Sequence, residues 1–281
     1  MAQQILVLGA NGHVGRPLVQ ALLQRGESVR AASQSGLGVA GVTPVRLDYQ
    51  DPQSITAALE NVDRLFLMLP TGYVNIFEML EPVTRAAIER GIKVVYQSVL
   101  GVDADDSIPY RRIELLLQNS GVPHVILRPN WFMDNFTSFW LEGIRHNCIA
   151  IPAADGQSSL IDARDIADCA AVALTSSAFD GQALNLTGPA AVGYAEAAAR
   201  ISATIGREVR YNPISADAFV AMLTSAGVNA DYAGFLASIF YPVTMGWTAA
   251  VTDAVTRMTG KPARTLDAYL QDYQAVLASQ S

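Results

Sequence analysis

The chain reads Ile-Leu-Val-Leu-Gly-Ala-Asn-Gly-His-Val-Gly from residue 5 to residue 15, and this stretch is the strongest indication of its fold class. Its apolar beginning, Ile5 to Leu8, predicts a buried parallel strand. Gly9, Gly12 and Gly15 follow at a spacing of three, and apolar residues then recur at helical spacing. A strand, a glycine turn and a helix N-terminus in this order present backbone N–H groups and a partial positive charge to a phosphate.

Each of the three glycines has a separate physical reason. Gly9 allows a tight turn out of the strand, where a Cβ would be strained. Gly12 leaves room for a pyrophosphate to approach the backbone, and Gly15 allows the helix to pack closely on the strand. The pattern therefore predicts a dinucleotide-binding turn; the alternative is a structural turn without a ligand.

The composition narrows the class of protein. The 281 residues are 51% hydrophobic and 16% charged, with a net charge of −7. The longest basic cluster is Arg111-Arg112, so a surface for direct nucleic-acid binding is not expected. No apolar run approaches the ~20 residues of a membrane span, and the N-terminus lacks the features of a signal peptide. Two cysteines, Cys148 and Cys169, do not make a disulfide framework, and we expect a reducing, cytoplasmic setting.

The histidines do not predict a metal site. His13, His124 and His146 have no neighbours at metal-ligand spacing. His13 belongs to the glycine turn, and the other two are expected to be surface or capping residues.

Strands and helices alternate through the first half of the chain. Asp51 and Pro52 predict the start of one helix as N-cap and first helical residue, and Gly91 predicts the end of another. The predicted strands after the first are 28–32, 44–47, 64–69, 92–97 and 122–127, and the intervening helices include 52–60, 73–90 and 109–119. This alternation predicts an α/β fold with a doubly wound parallel sheet of the Rossmann type, which binds ligands at the carboxyl ends of its strands.

The pattern changes after Pro129. Further predicted elements are a strand near 149–151, a helix over 162–175, strands at 183–186 and 208–211, and helices at 194–205 and 266–277. We predict a dinucleotide-binding domain over 1–150, with returns around 160–187. A smaller, mainly helical portion on the substrate side covers 188–281.

Several motifs occur in a characteristic order along the chain. They are the glycine turn 9–15, Leu47-Asp48-Tyr49 with Asp51-Pro52, Leu127-Arg128-Pro129-Asn130, the stretch 161–167 (Ile-Asp-Ala-Arg-Asp-Ile-Ala), the stretch 183–188 (Ala-Leu-Asn-Leu-Thr-Gly) and the tail 260–266 (Gly-Lys-Pro-Ala-Arg-Thr-Leu). In these motifs the chain resembles NmrA-like members of the atypical short-chain dehydrogenase/reductase superfamily over nearly its whole length.

The resemblance implies NAD or NADP bound in extended form across the sheet. It assigns the pyrophosphate to the glycine turn, the adenine to the end of the third strand, and the nicotinamide half to the ends of the fourth, fifth and sixth strands. The residues concerned are Gly9, Asn11, Gly12, His13 and Val14; Asp48, whose alternative is a turn or cap; Leu69, Pro70 and Thr71; Ser98 and Val99; and Pro129, Asn130 and Trp131.

The end of the second strand bears on the choice of cofactor. Residues 31–35 read Ala-Ala-Ser-Gln-Ser and lack the acid that usually binds the ribose 2′-hydroxyl of NAD. Ser33, Gln34 and Ser35 can donate hydrogen bonds to a 2′-phosphate. Arg16 and Arg30 are candidates to reach it, although related NADP-binding proteins often carry an arginine where Gln34 stands. We expect NADP, with NAD as the alternative.

The catalytic Tyr-x-x-x-Lys dyad of the superfamily is not found at its expected place. Counting back from residues 120–123, the tyrosine position falls at Asp106 and the lysine position at Tyr110. Tyr110 is itself followed four residues later by Glu114, which cannot replace a lysine electrostatically. Because the cofactor supplies the hydride, acceptors that need little proton transfer from the protein, such as quinones, dyes or conjugated cations, would remain reducible.

Two side chains are candidates for a remaining catalytic role. Ser98 can hydrogen-bond a substrate oxygen, and Tyr110 can donate a proton or contact the cofactor. For each, the alternative is a polar residue without a chemical role. Arg111 and Arg112 are expected on a solvated helix face.

Aromatic residues crowd the segment from Trp131 to Trp140. Their helical spacing is typical of a core, but their position after the sixth strand suits the wall of a pocket for a flat apolar substrate. We predict a mixture of both. The candidates for the pocket are Phe132, Met133, Phe136 and Trp140, with Phe240 and Tyr241 as further contributors.

Two functions remain open at this point. The favoured one is an NAD(P)H-dependent oxidoreductase that reduces a flat conjugated small molecule. The other is a non-catalytic NAD(P)-binding redox sensor of the NmrA type that acts through a protein partner. A homo-oligomer is compatible with either.

Overall fold

The computed structural model describes residues 4–36, 38–39 and 41–279. Its strands are β1 (Gln4–Leu8), β2 (Ser28–Ser33), β3 (Thr43–Arg46), β4 (Arg64–Leu67), β5 (Lys93–Gln97), β6 (His124–Pro129), β7 (Cys148–Ile151), β8 (Gln157–Ser158), β9 (Ala183–Leu186), β10 (Val192–Gly193) and β11 (Arg210–Pro213).

Helices alternate with these strands. The α-helices are α1 (Gly15–Gln24), α2 (Pro52–Ala58), α3 (Ile76–Glu89), α4 (Pro109–Gln118), α5 (Leu141–Arg145), α6 (Ala163–Thr175), α7 (Tyr194–Ile205), α8 (Ala216–Ser225), α9 (Ala230–Ser238), α10 (Tyr241–Thr244), α11 (Ala254–Thr259), α12 (Leu266–Asp272) and α13 (Gln274–Ala278). Two short 3-10 helices occupy Val102–Ala104 and Met133–Thr137.

The chain forms two compact units. Unit 1 consists of Met1–Pro129, Ala163–Leu186 and Ala254–Lys261, and unit 2 of Asn130–Asp162, Thr187–Asp253 and Pro262–Ser281. The chain therefore leaves unit 1 directly after β6 and returns to it twice. The domain boundaries given above from the sequence stay a prediction.

Unit 1 is built on a parallel sheet. Among the described residues, seven strands are hydrogen-bonded in the order β3-β2-β1-β4-β5-β6-β9, and every neighbouring pair is parallel. The interior strand β1, third in this order, is buried from Ile5 to Leu8, as an apolar run covered on both faces requires. The predicted doubly wound α/β fold is confirmed. All carboxyl ends of these strands lie along one edge of the sheet.

Local signals explain where the helices of unit 1 begin and end. The Asp51 carboxylate accepts hydrogen bonds from the backbone N–H groups of Gln53 and Ser54, so Asp51 is the N-cap of α2, as predicted. Gly91 follows α3 with a φ of +66°, a left-handed conformation that glycine adopts without strain. The helix predicted from residue 73 begins only at Ile76.

Unit 2 has two small strand pairs and a core rich in aromatic rings. β7 pairs with β11 in parallel, and β8 pairs with β10 antiparallel. The helix predicted over 266–277 is divided into α12 and α13 at Tyr273. None of the helices in the described part of the chain has the length and apolarity that crossing a membrane requires.

Candidate functional site

The glycine turn lies at the carboxyl end of β1, an interior strand flanked by β2 and β4. Gly9 has a φ of +64°, and a Cβ at Gly15 would lie 2.2 Å from the carbonyl oxygen of Gly9. The backbone N–H of Gly12 donates to the same oxygen across 2.9 Å. Gly9 and Gly15 therefore fold the turn tightly, while residues 11–13 are exposed beside the start of α1.

The start of α1 is suited to an anion. The N-cap residue of α1 is Val14, whose apolar side chain cannot accept a hydrogen bond from the backbone N–H groups of the first turn. The first turn of α1 also contains no acidic residue. The first N–H groups of a helix need acceptors, and a helix N-terminus carries a partial positive charge. A phosphate placed here would supply those acceptors.

The other unit 1 residues named from the resemblance also follow strands of this sheet at the same edge. Ser33 ends β2, Asp48 comes two residues after β3, and Ser98 follows β5 directly. Thr71 and Val99 are exposed, whereas Leu69 is buried. The structure thus brings these predicted residues to one sheet edge: Gly9 to Val14, Ser33 to Ser35, Asp48, Leu69 to Thr71, Ser98, Val99 and Pro129.

Arg30 is already engaged elsewhere. Its guanidinium donates to the carbonyl oxygens of Ala58 and Glu60, at the end of α2. Arg30 therefore satisfies the terminal carbonyls of a helix, and this engagement removes it from the candidates for a 2′-phosphate. The sequence could not show this, because Ala58 and Glu60 are distant from it along the chain.

Ser98 is hydrogen-bonded to a buried ion pair, which is formed by Glu114 and Arg128. The carboxylate of Glu114 is fully buried and receives the Nε and Nη2 of Arg128 at 2.9 and 2.6 Å, a two-pronged pair. Ser98 donates its hydroxyl to Oε1 of Glu114 across 2.6 Å and is 2% exposed. The Nη1 of Arg128 donates to Oδ2 of Asp103 across 2.5 Å. The hydroxyl proton of Ser98 is thus directed into the protein.

Arg111 completes this network, which corrects the expectation of a solvated helix face. It donates to Oε2 of Glu114 and to Asp106, both at 2.9 Å, and its side chain is 16% exposed. Spacing of three residues on α4 puts Arg111 beside the buried carboxylate. Arg112 is exposed, but its guanidinium lies 3.5 Å above the ring of Phe77.

The network keeps its arginines charged. Burial by itself lowers the pKa of Arg128, but the hydrogen bonds and charge of Glu114 and the charge of Asp103 outweigh it, so the pKa is raised. Hydrogen bonds to Asp106 and Glu114 raise the pKa of Arg111.

Two tyrosines adjoin the network. Burial raises the pKa of Tyr96 well above its usual value, and nearby Tyr110 and Glu114 add to this effect. The Tyr96 phenol therefore stays neutral. Tyr110 is half-buried in the first turn of α4. Its predicted catalytic role, like that of Ser98, stays a prediction.

Asn130 uses its side chain inside unit 2. Its amide nitrogen donates to Ser159 Oγ and to the carbonyl oxygen of Thr248, both at 2.7 Å, and its amide oxygen accepts from the backbone N–H of Trp131. The side chain is therefore satisfied by the protein and tethers the segment around Thr248.

The aromatic segment after β6 mainly forms the core of unit 2. Met133 and Phe136 are at most 1% exposed, and Phe136 meets Trp140 edge to face. Trp131 packs on Phe240 with ring centroids 4.6 Å apart. Phe132 is half-buried. Met133 and Phe136 therefore have no exposed face. The pocket roles of Phe132, Met133, Phe136 and Trp140 stay a prediction.

Sequence reasoning missed the burial of Glu114 and its pairing with Arg128. A signal was present: Ile113 and Leu117 are apolar and Glu114 lies between them on the inward face of α4. A charge in that pattern must be paired, because an isolated buried charge is very costly. Within the described part of the chain, no group of three or more His, Cys, Asp or Glu side chains could hold a metal ion.

Comparison with known proteins gives relatives of nearly the same length. An NAD(P)H azoreductase from Xenophilus azovorans is 31% identical over 98% of this chain and 99% of that protein. A (4-alkanoyl-5-oxo-2,5-dihydrofuran-3-yl)methyl phosphate reductase from Streptomyces griseus is 34% identical, covering 92% of this chain and 94% of the relative.

A solved structure supports the fold. The NADPH complex of an NADPH-dependent quinone oxidoreductase from Escherichia coli has a TM-score of 0.83 with this chain, at 24% identity, and covers 95% of this chain and 99% of that one. The sequence model of the NmrA-like family matches residues 1–242. Since that match takes in the glycine turn, the whole strand order β1 to β6 and the segment that follows, the chain belongs to the NmrA-like family.

Proposed function

We propose that this protein is an NADP(H)-dependent reductase that transfers hydride to a flat, conjugated small molecule of the quinone or dye type. The observation that carries the proposal is the tight glycine turn at the uncapped N-terminus of α1, at the carboxyl edge of a parallel sheet. This arrangement fits a pyrophosphate, because Gly12 leaves the backbone accessible and the N-cap Val14 provides no side-chain acceptor for the first turn of α1.

The residues at the sheet edge would divide the cofactor among them. Backbone groups of residues 9 and 11–14 would hold the pyrophosphate, and Asp48 would accept from the adenine amino group. Ser33, Gln34 and Ser35 would donate to the 2′-phosphate of NADP, a role that suits a strand end without an acid. The nicotinamide half would meet residues 69–71, Ser98, Val99 and the backbone of Pro129, Asn130 and Trp131.

The chemistry we propose does not use a Tyr-x-x-x-Lys dyad. When bound, the dihydronicotinamide supplies the hydride. Because the Ser98 hydroxyl donates its hydrogen bond to Glu114, Ser98 would meet a ligand as a hydrogen-bond acceptor. Reduction of a quinone then takes its proton from water, and a conjugated cation needs none. Carbonyl substrates that require an acid are disfavoured.

The names of the relatives agree with this class of acceptor. Azo compounds, quinones and the unsaturated ring of a dihydrofuranone are all conjugated systems that accept hydride. In unit 2, Trp131, Phe132 and Trp140 are the aromatic residues we favour for contact with such a substrate. Aromatic rings stack well on flat conjugated molecules.

A direct assay tests the proposal. Purified protein would be mixed with NADPH and a panel of a naphthoquinone, an azo dye, a triarylmethane cation and a simple aldehyde, and nicotinamide absorbance followed. We expect turnover with at least one conjugated acceptor and none with the aldehyde. Gly15→Ala should abolish it, because the added Cβ meets the backbone of the turn.

The outcome also separates the second function. Tight NADPH binding without oxidation by any acceptor would overturn the reductase proposal and support a redox sensor. Absence of dinucleotide binding would refute both.

A further inference from the structure

The register of β2 and β3 places an arginine beside the end of β2. Ser33, the last residue of β2, is paired with Arg46, the last residue of β3. Side chains of paired residues on parallel strands point to the same face of a sheet. Arg46 therefore accompanies Ser33 at the carboxyl edge, where a dinucleotide-binding sheet meets the adenosine ribose.

The turn after β2 lies against this arginine. A Cβ built on Gly36 would be 3.6 Å from the Cβ of Arg46, which puts the 33–36 turn directly over the base of the side chain. Gln34 and Ser35 of that turn are exposed. The hydroxyl and amide donors of the 33–36 turn, which contains no acid, are thus grouped with the Arg46 guanidinium at the end of β2.

Arg46 is weakly held in the protein. Its side chain is 60% exposed, and its ion pairs with Asp48 and Asp51 are 3.4 and 3.7 Å long. Exposed pairs of this kind contribute only about 0–1 kcal/mol. Both aspartate side chains also accept hydrogen bonds from the backbone: Asp48 accepts from the N–H of Gln50, and Asp51 is the N-cap of α2. The guanidinium can therefore exchange these partners for a stronger one.

We infer that Arg46 is the cation that selects NADP(H) over NAD(H), by binding the 2′-phosphate together with donors of the 33–35 turn. The inference rests on the proposed function and adds to it a residue that determines cofactor specificity. A phosphate carries more charge than a single carboxylate and matches the guanidinium donors in a two-pronged geometry. The neighbouring aspartates would oppose the phosphate once Arg46 is removed.

The test measures binding and does not depend on turnover. Dissociation constants for NADPH, NADH and 2′,5′-ADP would be determined by calorimetry for the wild type, Arg46→Ala and Arg46→Glu. Arg85→Ala is a matched control, because Arg85 is 56% exposed and has one ion pair with Glu81 on α3. Melting temperatures would verify that each variant folds.

We expect Arg46→Ala to weaken the binding of NADPH and of 2′,5′-ADP by about tenfold to a hundredfold, which is the range for one charge-assisted hydrogen bond. NADH binding should change by less than about twofold. Arg46→Glu should reverse the preference to NADH, and Arg85→Ala should match the wild type. The NADPH preference should also shrink as salt is raised, since the site is exposed.

Equal effects on NADPH and NADH, or no effect on either, would overturn the inference. So would a wild type that binds NADH as tightly as NADPH, although the proposed hydride transfer would then still stand. If the wild type binds neither dinucleotide, the proposed function itself fails.

Discussion

Ser98 and Glu114 share a hydrogen bond of 2.6 Å in which the serine hydroxyl donates to a fully buried carboxylate. Glu114 comes four residues after Tyr110, which is the tyrosine-to-lysine spacing of a Tyr-x-x-x-Lys dyad, although counting back from residues 120–123 places the lysine position of the superfamily at Tyr110 itself. The Glu114 side chain is directed inward and binds Arg111 and Arg128. The result is a structural ion network that includes the buried Ser98 and ends at the more exposed carboxylates of Asp103 and Asp106.

Neutralising Glu114 should cost much stability. In Glu114→Gln, the buried guanidinium of Arg128 loses its charged partner and keeps only Asp103. Breaking a buried ion pair on one side destabilises proteins by about 3–5 kcal/mol. We expect a loss of this size in the free energy of unfolding, measured by urea denaturation at neutral pH.

The control for this prediction is Glu142→Gln. Glu142 pairs with Arg145 at 3.4 Å and its side chain is 62% exposed, so its removal should cost less than about 1 kcal/mol. Equal losses in the two variants would show that the Glu114 network does not stabilise the fold.

Gly15→Ala should disrupt the glycine turn. The added Cβ would lie 2.2 Å from the Gly9 carbonyl oxygen and 2.7 Å from the Cα of Ala10, both backbone atoms that cannot move aside alone. We expect NADPH binding in calorimetry to fall below detection and the melting temperature to drop.

The matched control is Gly234→Ala in α9, where a Cβ meets nothing within 4 Å. This substitution should stabilise the protein by about 0.5–1 kcal/mol, through the higher helix propensity of alanine. NADPH affinity unchanged in Gly15→Ala would contradict the proposed place of the pyrophosphate.

The fold of unit 1 could be predicted because its signals are local. Apolar runs of strand length, the Asp51-Pro52 helix start and Gly91 all act within a few residues of the chain. Where a signal was weak, the boundary moved: the helix expected from residue 73 begins at Ile76, and the helix expected over 266–277 is divided at Tyr273.

The candidate site could be predicted from the sequence only where its residues are consecutive along the chain. The glycine turn is a continuous motif, whereas the neighbours of Arg30 and Arg46 are set by strand register. The Arg30 guanidinium binds carbonyl oxygens at the end of α2, while Arg46 is paired with Ser33 across the β2–β3 register. Both arrangements depend on contacts between elements that are distant along the chain, which no local pattern encodes.

Two neighbouring phenylalanines should differ sharply in their contribution to stability. Phe136 is fully buried in the core of unit 2, whereas Phe139 is 61% exposed. Phe136→Ala should lower the free energy of unfolding by about 3–5 kcal/mol, because it leaves a cavity. Phe139→Ala should stay within about 0.5 kcal/mol of the wild type. A mild effect of Phe136→Ala together with a large loss of acceptor turnover would instead favour its predicted pocket role.

Alkaline pH should lower the free energy of unfolding, in part because the Tyr211 phenol loses its proton. Burial raises the pKa of this phenol from 10.0 to about 12, and its hydroxyl donates to the carbonyl oxygen of Ala154. Because the folded-state pKa is the higher one, the unfolded chain releases the proton first as the pH rises. The stabilisation from Tyr211 is thus complete below pH 10 and is lost between pH 10 and about 12.

Tyr211→Phe should therefore show a shallower loss of stability over that interval than the wild type, in urea denaturation at a series of alkaline pH values. Other buried phenols, including Tyr49 and Tyr194, have raised pKa values from burial and keep part of the slope. Tyr241→Phe, which removes a phenol that is 58% exposed, should retain the wild-type dependence. If Tyr211→Phe and Tyr241→Phe give the same slope as the wild type, the Tyr211 phenol is not protected in the folded protein.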